Sequence, residues 1–112
     1  MNEQIQIPES YLALFKGPGQ RLTAPAEVIF AGYDLCEDLA QMLSDKCRGV
    51  HQVDNVDERT VLERAHNGLL NPGSPIGEQQ AIWVIRRTAE LLDWLTHLPE
   101  ACALRTEAQP QG

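Results

Sequence analysis

Between Pro25 and Gly49 no proline interrupts a run in which Val28, Leu35, Cys36, Leu39, Met42, Leu43 and Cys47 recur at spacings of three, four and seven. That spacing predicts one face of an α-helix held for about six turns. Asp34, Glu37 and Asp38 fall on the other side. Thr23 is the expected cap and Pro25 suits the first turn, where its missing N–H costs nothing. Gly32, inside the helix, invites close approach of a neighbouring segment. The helix is expected to end near Arg48 and Gly49, with Lys46 and Arg48 suiting the negative end of its dipole. A rod of this length needs neighbouring elements to bury its stripe.

The remainder supplies them. "VHQVDNVDE" reads as a connector in which Asp54 or Asn55 caps a second helix. That helix has the apolar face Val61, Leu62, Ala65 and Leu69, and Gly68 is its expected stop. "NPGSPIG" is a loop of breakers. Ser74 caps and Pro75 opens a third helix, expected to run to His97 before Pro99. Upstream, "PESYLALF" predicts a turn or two of helix with Tyr11, Leu12, Leu14 and Phe15 as anchors. Ile5 and Ile7 before it suit a short strand or a packed arm. No segment alternates at period two over a useful length. The expected fold is all-α: a compact helical bundle of three main helices with an N-terminal arm or short helix. Residues 1–23 are the arm and hinge, 24–98 the bundle, and 99–112 a tail that is partly disordered. The length of 112 residues fits one domain.

Charge narrows the function. Sixteen acidic residues against nine basic ones give a net charge of −7, which repels nucleic-acid phosphates and an anionic membrane surface. No apolar run approaches the length that spans a bilayer, and "MNEQIQIPES" lacks the pattern of a secretory leader. The three cysteines include no close pair; Cys36 and Cys47, three turns apart on one helix, cannot bond to each other. A cytoplasmic protein with buried thiols is expected.

Sites of chemistry are hard to assemble. "LFKGPGQRLTAP" has glycines and two cations, but Pro18 removes an amide donor. No G-K-[ST] follows, and Leu22 stands where a dinucleotide fingerprint needs its third glycine. This stretch is expected to be a hinge. Asp34, Glu37 and Asp38 can converge, and "ERAH" places Glu63 and His66 at the Glu-x-x-His spacing. That spacing occurs once, where a helical di-metal site needs two. His51, His66 and His97 lie on separate elements, with no nucleophile set beside them. No catalytic residue, cofactor or metal is therefore expected. Arg59 and Arg64, with Arg86 and Arg87 of the doublet, are the candidates for a small anion site.

On the last helix, Ala81, Val84, Ile85, Thr88, Leu91, Leu92 and Leu95 form the expected core stripe at 100° per residue. Trp83 and Trp94, eleven apart, align well away from it, with Arg87 and Glu90 between them and Ile82 also off the stripe. These four, Trp83, Arg87, Glu90 and Trp94, are the candidate interface of a symmetric homodimer, unless the arm or tail covers the tryptophans.

"IPESYLALF", "YDLCEDLAQML", "VLERAHNGL" and "WVIRRTAELLDW" together resemble a family of small, chiefly proteobacterial proteins often labelled "ATPase with chaperone activity". The resemblance spans roughly residues 5 to 95. It implies a chaperone-related role; lacking a Walker lysine, this chain would assist an ATPase rather than be one. The functional expectation is a non-enzymatic protein acting through protein–protein contacts, as an adaptor or regulator. The alternative is a small nucleotide- or anion-binding enzyme.

Overall fold

The computed structural model describes residues 7–103. The strand or arm expected at Ile5 and the disorder expected at the end of the tail fall outside them. The described residues fold as an all-α bundle with no strand among them. A short α1 (Glu9–Leu12) continues as a 3₁₀ turn through Phe15. The long α2 (Ala26–Asp54), α3 (Glu58–Leu69) and α4 (Glu78–Leu92) follow, then single 3₁₀ turns at Leu95–His97 and Glu100–Cys102. Each of the three main helices packs on the other two. No described helix is long and apolar enough to cross a membrane.

The helix ends follow local chemistry, and several differ from expectation. α2 passes Gly49 by more than a turn, because a single glycine lowers helix propensity without forbidding helix. It stops where Asn55 takes the left-handed conformation at φ 60°. His51 Nδ1 then donates to the Val56 carbonyl at 2.7 Å, tying the connector down. α3 is capped by Asp57 rather than Asp54 or Asn55; its carboxylate accepts from the Thr60 N–H at 3.1 Å and the Thr60 hydroxyl at 2.8 Å. α4 begins after Gly77 rather than at Pro75. The Gln80 side chain accepts from the Gly77 N–H at 2.9 Å, which is half of a capping box. It ends at Leu92 instead of His97, because Asp93 turns left-handed at φ 63°. The Trp94 N–H reaches back to the Ala89 carbonyl at 2.7 Å, closing a Schellman turn.

Two adjoining clusters form the core. In the first, Tyr11 from α1 meets Ile29, Cys36 and Ala40 of α2 and Trp83 and Val84 of α4. In the second, Leu62 of α3 meets Ile85 and Ala89 of α4 and Leu98 and Cys102 of the closing turns. The N-terminal arm therefore packs: Tyr11 has no exposed surface. Its hydroxyl accepts from Gln80 Nε2 at 3.0 Å. It lies over Gly32, where an added Cβ would sit 2.5 Å from the hydroxyl. Gly32 thus admits the close approach expected of it.

Of the apolar face expected for α2, Cys36 and Cys47 are buried and Leu39 and Leu43 pack half-buried against the core, but three positions are corrected. Val28, Leu35 and Met42 are exposed, at 54%, 37% and 57%. The buried positions are Ile29, Cys36, Ala40, Ser44 and Cys47. The wide rings of Tyr11 and Trp83 occupy the space beside α2, so its fully buried positions after Ile29 hold small side chains.

Candidate functional site

The opening loop folds on itself. The Gly17 N–H donates to the Arg21 carbonyl and the Thr23 N–H to the Phe15 carbonyl, each at 2.7 Å, while the Gln20 N–H returns to Gly17 at 3.1 Å. Amides engaged this way do not cradle a phosphate. Gly19 and Gln20, both at positive φ, complete the bend.

The expected interface set divides. Trp83 is only 6% exposed, because the arm covers it. Its Nε1 donates to Ser10 Oγ at 2.9 Å, and its ring stands edge-on to Tyr11 and Tyr33 with centroids 5.3 and 5.9 Å away. Trp83 is thus core rather than interface, and of the two expectations for it the cover by the arm is the one the structure shows. Trp94 does not align with Trp83, because α4 has ended before it. It is half-buried against the second cluster, with the His51 ring 5.2 Å away. Leu95, expected in the core stripe, is 42% exposed for the same reason. Arg87 does not reach outward either. Its Nε and Nη2 grip Glu37 at 3.0–3.2 Å, and Nη1 meets Glu90 at 2.9 Å. The Arg87 guanidinium holds the Glu37 carboxyl below its ordinary range, and Glu37 in turn raises Arg87. The trio is a clamp between α2 and α4, and it neutralises the charge a ligand would need.

The proposed anion-site arginines do not converge. Arg59 donates to the Leu98 carbonyl. Arg86 donates to Cys102 and Ala103 carbonyls, both at 2.8 Å. Both hold the closing turns against the bundle. Arg64 stands apart at the rim of a groove between α2 and α3. This groove, of about 360 Å³, is lined by Leu43, Cys47, Val50, Val61 and Leu69, with Lys46 also at its edge.

Catalytic groups are likewise unassembled. Burial pushes the Cys36 thiol up to about 11 and raises Cys47 and Cys102, so none is a ready thiolate. Burial lowers His66, whose Nε2 has no hydrogen-bond partner among the described residues. Glu63 is exposed while His66 points into the bundle, so the "ERAH" spacing brings them to no common site. No group of three His, Cys, Asp or Glu residues among the described residues could hold a metal.

What the molecule does present is the outer face of α2. Val28, Leu35 and Met42, seven apart, repeat every two turns with Ala31 exposed between them. Glu27, Asp34 and Asp38 line one edge, exposed and in no ion pair among the described residues. The heptad spacing of this face was visible in the sequence; its orientation was not. Comparison with known protein families, characterised proteins and solved structures finds no match.

Proposed function

We propose that this is a non-enzymatic, cytoplasmic helical protein that acts through protein–protein contact, as an adaptor or regulator. One observation carries the reading. Large apolar side chains stand exposed in register on the outer face of α2, while Arg59, Arg86, Arg87 and Glu37, four of the candidates for a reactive or anion site, hold the chain's own helices and turns together. Large exposed apolar patches mark interaction sites. The resemblance to proteins labelled "ATPase with chaperone activity" suits a companion of an ATPase. The symmetric homodimer expected through Trp83, Arg87, Glu90 and Trp94 loses its exposed Trp83; a second copy on the outer face of α2 is the alternative occupant there, and sedimentation at micromolar concentration separates it from a partner protein.

The test is site-specific photo-crosslinking in the source cell. A crosslinker at Met42 gives a discrete protein adduct, and one at Gln52, off the stripe, gives none. No adduct from Val28, Leu35 or Met42 defeats the reading. Melting with ATP and magnesium, or with phosphate, addresses the nucleotide- or anion-binding alternative. A ligand at a hundred times its dissociation constant stabilises by about 2.7 kcal/mol, so a clear shift favours an enzyme.

A further inference from the structure

We propose that the outer face of α2 docks a basic amphipathic helix of a partner protein. This rests on the reading of that face as a contact surface, and adds the chemistry of what it takes. At 100° per residue Val28, Leu35 and Met42 lie within about 40° of one another. They span four turns, roughly 21 Å. This is room for a partner helix to lay its own apolar stripe alongside. Beyond Met42, Lys46 stands in line with the stripe and ends it.

Charge selects the occupant. From Ala26 to Asp45, α2 carries five carboxylates, Glu27, Asp34, Glu37, Asp38 and Asp45, and no lysine or arginine. Two of these are matched within the chain: Glu37 by Arg87, and Asp45 by Arg48 at 3.1 Å. Glu27, Asp34 and Asp38 are left along one edge of the stripe. A second copy would bring the same three unmatched carboxylates to the same face, with only Lys46, at the end of the stripe, to meet them. A helix with lysine or arginine flanking its apolar positions meets both features at once, and complementary charge sets partner choice and register.

The experiment uses two labelled helical peptides with leucine at heptad spacing, one flanked by lysine and the other by glutamate. Each is titrated against the full chain by fluorescence anisotropy. The lysine peptide binds at least about tenfold more tightly, and the preference shrinks with added salt. Leu35→Gln with Met42→Gln weakens it, and Asp34→Lys with Asp38→Lys inverts the preference. All four positions are exposed, and circular dichroism confirms that each variant is folded. The proposal is overturned if the peptides bind equally, if neither binds, if charge reversal leaves the preference intact, or if the glutamines leave lysine-peptide binding unchanged. A dimer in sedimentation that the glutamine pair abolishes also overturns it. If Met42 still crosslinks to a protein in the cell, only the charge assignment has failed; if it does not, the contact surface itself has.

Discussion

The two long faces of α2 both carry large apolar side chains, but only the inward one is rich in small ones. The inward face has Ile29 near its start, then Cys36, Ala40, Ser44 and Cys47, with Leu39 and Leu43 half-buried beside them and Gly32 under the arm. The outward face carries Val28, Leu35 and Met42. Burial here is decided by what lies opposite. Tyr11 and Trp83 bring two wide rings against α2 from α1 and α4, so small residues complete the packing, and larger ones would overfill it. Hydrophobicity alone therefore does not say which side of a helix is inside.

Substitutions that contrast the faces test this, and the largest effect belongs to the ring that fills the inner side. Trp83→Ala removes a buried indole and its bond to Ser10, and is expected to cost about 3–5 kcal/mol in urea unfolding. The two glycines of α2 come next. Gly32→Ala drives a methyl toward the enclosed Tyr11 hydroxyl and should cost about 1–3 kcal/mol. Gly49→Ala meets nothing within 4 Å and should stabilise by up to about 1 kcal/mol through helix propensity. Equal melting temperatures for the two variants would remove the distinction between the faces.

The clamp at the border of the faces is smaller. Glu37→Gln should cost about 1–2 kcal/mol at neutral pH. Because Arg87 lowers the Glu37 carboxyl, the contribution is present above its unfolded value of 4.5 and lost as pH falls through the lower folded value. The variant should flatten the acid limb of a pH–stability curve.

His66, buried on α3 by the bundle that leaves the outer face wet, adds a gentler slope. Burial lowers its pKa against a weaker raising effect of Glu78. Below about 6.5 the unfolded imidazole takes up a proton that the native one resists, so stability falls with pH until the folded value is reached. In His66→Leu that slope should diminish in denaturant midpoints measured across this range. Smallest is Met42→Ala, expected within about 0.5 kcal/mol of the parent in thermal melts. A loss of several kcal/mol there would mean that the outer face is covered within this chain.

The helical class was legible because period-3.6 patterning survives whichever way a helix is turned. The lengths were less so. Gly49 has the signature of a stop without being one, while Asn55 and Asp93 end helices in the left-handed conformation without glycine's signature, so the pattern makes α2 too short and α4 too long. That error set Trp94 in line with Trp83 and made one surface of two separate environments. Of the candidate site, the carboxylates of α2 were legible as a solvated face, except Glu37, whose partner Arg87 lies fifty positions away. Nothing local announces that Ser10 and Tyr11 cover Trp83, because such a contact exists only once the chain has closed.

The three thiols give this closure a clock. Cys36 lies beneath the arm and Cys102 in the final turn, both fully enclosed, while Cys47 lines the groove between α2 and α3; burial raises all three, so they are protonated at neutral pH. A thiol reagent reaches Cys36 or Cys102 only when its own cover lifts, with Cys47 as the groove-side reference. Labelling resolved by mass spectrometry therefore times two separate openings in one unmodified molecule. The order in which the masses appear ranks how firmly arm and final turn are shut.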